Sequence, residues 1–212
     1  MENELDILKK LYRSTFQENE LIEIYFQYRN SYRVTVSLLQ QPRFPDKYAL
    51  NIIPKVFPID LLKISKNKRT NPNIRKRAEL EFVAKYNRYP LGEKISYMKI
   101  APNSLIYYFI EESDERILLT ILENPNLTEE IILKFINRSS PRFTFYEALS
   151  RSEWYKRPQI ADAISNDPTA PIKIILMIIP YLNLRQLERL FQDPDTHQVV
   201  KNNILEYLKE RS

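Results

Sequence analysis

The chain has 212 residues, of which 43% are hydrophobic and 28% are charged, so it can bury a core and is not a disordered polymer. Cysteine is absent, which excludes disulfides, thiolate metal sites and cysteine nucleophiles. A single histidine, His197, excludes a site with several histidine ligands, and a single glycine, Gly92, excludes a glycine-rich phosphate loop. We therefore expect no cofactor, no metal and no enzymatic activity.

The N-terminal residues, MENELDILKK, lack the basic segment and the apolar segment of a secretory signal. The most apolar window, residues 172–182, contains Lys173 and Pro180 and is too short to span a bilayer. These two observations predict a cytoplasmic protein without a membrane span.

Helical spacing of apolar residues runs along the whole sequence, and no Asn-Gly or Asp-Gly hairpin turn interrupts it. Residues 1–29 are predicted to form an N-terminal cap, and a first helical unit follows over 30–66. The further helices, in chain order, are predicted near 74–86, 93–100, 104–110, 114–122, 128–136, 145–151, 159–164, 171–179, 184–191 and 196–209.

One pattern recurs in three stretches, 41–54, 124–137 and 167–180, which align without gaps. The second and third copies are 43 residues apart, and the first two are separated by about twice that distance. Proline or threonine stands where each helix opens, because the amides of the first helical turn have no partner within the helix. The aligned sets are Pro42, Pro125 and Pro168; Pro45, Thr128 and Pro171; Leu50, Leu133 and Leu176; and Ile53, Ile136 and Ile179.

The match continues beyond Pro54 and Pro180 into a second short apolar segment. Pairing Asn71-Pro72 with Asp193-Pro194, each interpreted as a helix cap followed by proline, requires four extra residues in the earlier copy. We expect this insertion within the basic stretch KNKRT, where a loop lengthens at little cost.

Periods of about 40 residues composed only of helices are typical of an α-solenoid. We predict an all-α fold, a right-handed α-solenoid forming a single domain over 1–212. Its N-terminal cap is 1–29, about four helical repeats occupy 30–192, and 193–212 form a C-terminal cap helix.

Two strings carry a family resemblance, LLTILENPNLTEEIILKFI and AISNDPTAPIKIILMIIPYL. They resemble HEAT and armadillo-type repeats and, within that class, the bacterial leucine-rich-repeat variants, in which Asn-Pro ends one helix and Thr or Pro opens the next. The resemblance covers residues 30–208. It implies a scaffold with an interaction surface and supplies no catalytic residue.

The leading functional hypothesis is a non-catalytic module that binds a protein or peptide along the solenoid surface. The second helices of the repeats are expected to line that surface, with affinity coming from shape and a few anchoring side chains. The aligned residues expected on it are Lys47, Asn51, Glu130, Lys134, Lys173 and Met177.

The alternative is nucleic-acid binding through a basic patch within residues 63–88, which holds nine basic and two acidic residues. Phosphate contacts would dominate, and affinity would fall steeply with salt. The residues expected to contact phosphate are Lys66, Lys68, Arg69, Arg75, Lys76 and Arg77.

Three further features have a catalytic interpretation and a structural one. His197 near carboxylates could act as a base, the acidic cluster at 111–115 could hold a metal, and Trp154 beside Arg157 could stack on a base. The structural interpretation is favoured for all three. In this interpretation His197 is a surface residue at a helix start, and the acidic cluster is a helix cap with acidic residues in the first turn. Trp154 is an aromatic residue that covers a junction between units.

Overall fold

The computed structural model describes residues 3–109, 112–137 and 143–211. Within these ranges every regular element is an α-helix or a short 3-10 helix, which confirms the all-α prediction. The chain divides into two compact units, one ending at Tyr97 and the other beginning at Met98.

In the first unit, α5 packs on α6, and α1 and α2 pack on α3. Side chains from these helices, such as Val34, Leu61 and Phe82, are fully buried. The helices are α1 (Glu4–Arg13), α2 (Glu18–Tyr28), α3 (Tyr32–Leu39), α4 (Asp46–Ile52), α5 (Pro58–Lys66) and α6 (Pro72–Lys85), with 3-10 helices at Ile53–Lys55 and Tyr86–Arg88. The last helix, α7 (Leu91–Met98), ends one residue beyond this unit.

In the second unit, α11 packs on α9, α10 on α12, and α13 on both α11 and α15. Ile121, Ile132 and Ile160 are fully buried at these contacts. The helices are α8 (Asn103–Phe109), α9 (Glu115–Leu122), α10 (Glu129–Ile136), α11 (Phe143–Ser150), α12 (Pro158–Ser165), α13 (Ile172–Ile178), α14 (Leu184–Gln192) and α15 (Gln198–Lys209), with 3-10 helices at Trp154–Lys156 and Ile179–Tyr181.

Many of these helices begin at a polar capping residue or a proline, as the sequence predicts. Ser31 and Asp114 accept backbone N–H groups at the starts of α3 and α9, from Val34 and Arg116 respectively. Asn71 caps α6, and Pro72 occupies its first position, where no amide donor is needed. Each of the predicted helices lies within a few residues of an observed one.

The helix bounds recur along the chain. The three helices α3, α9 and α12 have eight residues each and begin at positions 32, 115 and 158. The helices that follow them, α4, α10 and α13, have Pro45, Thr128 and Pro171 as their N-terminal caps. The three aligned stretches therefore share the turn and the helix start, whereas, among the described residues, a 3-10 helix follows α4 and α13 but not α10.

The insertion predicted in KNKRT is wrong. From α3 to α5, each helix bound lies 126 residues before its counterpart from α12 to α14, and the intervening 3-10 helices keep the same offset. The counterpart of Asp193 is therefore Asn67, and that of Asn71 is His197, which caps α15 by accepting the Val199 N–H at Nδ1. The error arose from pairing two Asx-Pro dipeptides, since Asp193 ends α14 and does not start α15.

One turn links the helices of each pair, and we name it the helix-linking turn. The carbonyl of its first residue accepts the backbone N–H of the residue three positions on, at 3.0–3.2 Å. In four of the five cases the side-chain Oδ1 of that first residue also accepts the N–H two positions on, at 2.7–3.0 Å. The first residues are Gln41, Asn67, Asn124, Asp167 and Asp193.

In four of these turns the side chain of the first residue also bonds to a more N-terminal part of its unit. Asn67 Nδ2 donates to Gln40 Oε1 at 3.3 Å. Gln41 Nε2 donates to the Leu11 carbonyl at 2.8 Å, and Asn124 Nδ2 donates to the carbonyls of Met98 and Ala101. Asp167 instead accepts a hydrogen bond from the Tyr146 hydroxyl. Each turn is thereby fixed to the element before it.

Candidate functional site

A groove of about 350 Å³ lies between α4 and α6 in the first unit, and we name it the α4–α6 groove. Its floor is apolar, with Ala49, Ile53 and Ile74 each buried. Leu50 and Leu80 line it from the two helices and remain 47% and 43% exposed. Leucines that stay this exposed next to a groove are typical of a surface that binds another molecule.

Basic side chains from α6 border the same groove. Lys76 and Arg77 both line it, and Lys76 Nζ lies 3.6 Å from a carboxylate oxygen of Glu79. Arg77 is exposed and has no ion pair in the part of the chain that the structure describes. The cations give the groove a positive edge that attracts carboxylates.

An unused acceptor also lies in the groove. One carboxylate oxygen of Asp46, Oδ2, accepts a hydrogen bond from Asn73 Nδ2 at 2.8 Å. The other, Oδ1, is buried and has no partner among the described residues. A buried carboxylate oxygen without a donor is costly.

The six residues predicted for protein binding lie in pairs on α4, α10 and α13. Five of the six are exposed and the other, Met177, is half-buried. Two already have acidic partners. Lys134 binds Glu130 at 2.5 Å, a hydrogen bond that lowers the pKa of Glu130 and raises that of Lys134, and Lys173 lies 3.2 Å from Glu147.

The six residues predicted to contact phosphate separate into two groups. Lys66, Lys68 and Arg69 lie at the end of α5 and in the turn after it, whereas the other three lie in the second turn of α6. Consecutive helical residues diverge by about 100°, so Arg75 and Arg77 point to different sides of α6. Arg75 is half-buried, and its Nε is hidden without a hydrogen-bond partner in the described ranges.

The remaining candidates have structural contacts. Trp154 donates through Nε1 to the Leu122 carbonyl at 2.7 Å, and the Arg157 guanidinium lies 3.9 Å from the centre of its ring. Asp114 caps α9 and binds Arg116, whose hydrogen bond holds the pKa of Asp114 below its usual range. Glu111 of the acidic cluster lies outside the described residues.

Two classes of site have no representative within the described ranges. No group of three histidine or acidic residues is arranged to hold a metal ion. None of the described helices has the length and apolar character that crossing a membrane requires.

The α4–α6 groove was not predicted from the sequence beyond its basic edge. Two features of the sequence could have indicated the groove. Leu50 belongs to the aligned leucines of the three matched stretches, and Leu80 is an apolar residue between charged residues on α6. The contact of α4 with α6 brings them together, and these helices are separated by a whole intervening helix in the chain.

Comparisons of the chain with protein-family models, with curated proteins and with solved structures found no match.

Proposed function

We propose that this protein is a non-catalytic binding module that holds a segment of another protein in the α4–α6 groove. The observation that carries the proposal is the pair of leucines, Leu50 and Leu80, which remain nearly half exposed over a buried apolar floor. Burying such side chains against a partner is favourable by about 25 cal/mol for each Å² of apolar surface removed from water.

The charge of the groove specifies the chemistry of the partner. Lys76 and Arg77 border the groove and attract carboxylates of a partner. Leu50 and Leu80 pack favourably against apolar side chains of the same partner. The partner is therefore an acidic amphipathic segment, with leucine-like residues facing the groove and glutamate or aspartate at its edge. The N–H groups of its first helical turn, which have no partner within a helix, supply a donor for Asp46 Oδ1.

A solenoid arrangement of the helix pairs is part of the same proposal. The equal bounds of α3, α9 and α12 and the recurring helix-linking turn support it, because repeated helix pairs that contact their neighbours build an α-solenoid. The predicted residues Lys47, Asn51, Glu130, Lys134, Lys173 and Met177 would then extend the binding surface along the chain.

Fluorescence polarisation with a labelled peptide tests the proposal. The probe has leucines at helical spacing flanked by glutamates, and its matched control carries lysines in place of the glutamates. We expect the acidic peptide to bind and the basic one not to bind. Leu80→Ser and Arg77→Glu should each weaken binding by at least about tenfold, and added salt should weaken it further.

Two variants in the second unit serve as matched controls. Leu205 is also 43% exposed, and Arg185 is also an exposed arginine on a helix. Leu205→Ser and Arg185→Glu should leave peptide binding unchanged. The proposal fails if these controls weaken binding as much as Leu80→Ser and Arg77→Glu do, or if the basic peptide binds equally well.

Nucleic-acid binding through the basic patch remains a prediction and is a distinct outcome of the same assay. A labelled oligonucleotide in low salt would bind, and charge reversal at Arg75, Lys76 and Arg77 would abolish that binding. The divergence of Arg75 and Arg77 around α6 makes one continuous phosphate-binding strip harder to build, so the peptide function is preferred.

A further inference from the structure

A second cavity in the first unit, of about 440 Å³, lies between α1, α3 and the turn after α5. Arg33 and Arg69 both line it, and no acidic residue does. Neither guanidinium has an ion pair or a hydrogen bond within the described ranges. Two arginines that share a cavity without a carboxylate are well suited to bind an anion, since the guanidinium fork matches phosphate oxygens.

Gln41 supplies an independent observation at the same cavity. It lines the cavity, is only 6% exposed, and its Oε1 is hidden without a hydrogen-bond partner in the described part of the chain. In the helix-linking turns that begin at Asn67, Asn124 and Asp167, the corresponding oxygen is satisfied by the N–H two residues on.

Gln41 differs from those residues by a longer side chain, whose Nε2 already donates to the Leu11 carbonyl. Its oxygen is therefore the one acceptor of this recurring turn that the described chain leaves without a donor. Buried acceptors of this kind have a partner in most proteins, and where the chain supplies none the donor is a water molecule or a ligand.

The remaining lining suits an aromatic ring. Tyr12 is 84% exposed although it borders the cavity, and Leu8 and Leu11 provide apolar surface beside it. Bases stack on such exposed aromatic side chains. A volume of about 440 Å³ also lies within the range that small-molecule ligands occupy.

We propose that this cavity binds a nucleoside phosphate. Arg33 and Arg69 hold the phosphate, Tyr12 contacts the face of the base, and Gln41 Oε1 accepts a hydrogen bond from an N–H of the base. The site lies apart from the α4–α6 groove in its residues, so it does not depend on the peptide-binding function.

Isothermal titration calorimetry of the full chain with AMP, adenosine and inorganic phosphate tests the proposal. We expect AMP to bind at least about tenfold more tightly than adenosine or phosphate. Adenosine lacks the phosphate that the arginines bind, and inorganic phosphate lacks the base. Equal affinity for phosphate and AMP would overturn the nucleoside part. Binding of an oligoadenylate without binding of AMP would overturn the proposal in favour of a nucleic-acid strand.

Three variants separate this site from general surface charge. Arg33→Ala and Arg69→Ala should each weaken AMP binding about tenfold or more. Lys68→Ala is the matched control, because Lys68 is adjacent to Arg69 in the chain but does not line the cavity. If Lys68→Ala weakens binding as much as Arg69→Ala, the cavity is not the site.

Gln41→Asn tests the role of the orphaned acceptor. The shorter side chain allows Oδ1 to accept the N–H two residues on, as in the equivalent turns, and this bond replaces the one from Nε2 to the Leu11 carbonyl. The N–H of the base then loses its acceptor. We expect weaker AMP binding with unchanged phosphate binding and an unchanged far-ultraviolet circular dichroism spectrum. Unchanged AMP affinity in this folded variant would remove Gln41 from the site and contradict the proposal.

Discussion

The strongest stability prediction concerns Asn124, which is only 3% exposed and connects the turn before α10 to the segment that begins the second unit. Its Nδ2 donates to the carbonyls of Met98 and Ala101, and its Oδ1 accepts the Asn126 N–H at 2.7 Å. The Ala101 carbonyl also receives Asn126 Nδ2 at 3.1 Å. Asn124→Ala therefore removes the side-chain donor that the described residues provide to the Met98 carbonyl, and the acceptor of the Asn126 N–H.

A buried polar group that loses its partner costs about 1–3 kcal/mol. Two such groups predict that Asn124→Ala lowers the free energy of unfolding by about 2–6 kcal/mol. Urea denaturation followed by circular dichroism measures the change. The matched control is Asp193→Ala, in which the same turn is exposed and the side chain accepts only the Asp195 N–H, so a loss of about 1 kcal/mol or less is expected.

Asn124→Asp refines the test through pH. The carboxylate keeps the acceptor for Asn126 but places a negative oxygen against two carbonyls, so its pKa in the folded state should be raised. A raised carboxyl pKa means that stability is present at low pH and is lost as the pH rises through that pKa. The variant should be less stable than Asn124→Ala at neutral pH and recover on acidification. If Asn124→Ala matches Asp193→Ala within about 1 kcal/mol, the reasoning is refuted.

Three further predictions follow from the packing and the ionisable groups. Phe44→Ala should lower the free energy of unfolding by about 3–5 kcal/mol in urea denaturation, because Phe44 is fully buried in the first helix-linking turn. Burial, and then the hydrogen bond to Asp167, raise the pKa of Tyr146. The free energy of unfolding should therefore fall as the pH rises above about 10, because the phenol ionises first in the unfolded chain. Tyr146→Phe should reduce this dependence of stability on pH. Arg157→Ala should cost about 0.5–1 kcal/mol through the lost contact with the Trp154 ring, whereas Arg157→Lys should keep part of it; equal losses would count against the contact.

The helices and their recurrence could be predicted from the sequence because both depend on local chemistry. Capping residues such as Asn71 and Asp114 and prolines at helix starts act within one turn of the chain, so their effect can be recognised without tertiary contacts. The misplaced insertion shows the limit of this approach. An Asx-Pro dipeptide serves equally as the end of one helix or the start of the next, and only hydrogen bonding distinguishes Asp193 from Asn71.

The candidate sites depend on contacts that the sequence does not specify. The α4–α6 groove exists because two helices separated by α5 pack together, and the unused oxygen of Asp46 follows from that packing. The cavity lined by Arg33 and Arg69 likewise joins a side chain of α3 with one from the turn after α5, and the basic patch alone gave no reason to separate Arg69 from Lys68. Both sites contain a buried acceptor without a donor among the described residues, and this depends on tertiary packing.

The polarity of the links between each turn and the preceding element has a consequence for how this sequence can diverge. Asn124 donates to backbone carbonyls, whereas Asp167, at the equivalent place, accepts from the Tyr146 hydroxyl. A substitution at only one end of such a link places two acceptor oxygens next to each other or leaves a hydroxyl without a hydrogen-bond partner. Substitutions at the two ends of such a link must therefore occur together, and covariation between positions 146 and 167, with independence at position 124, is the evolutionary signature this structure implies.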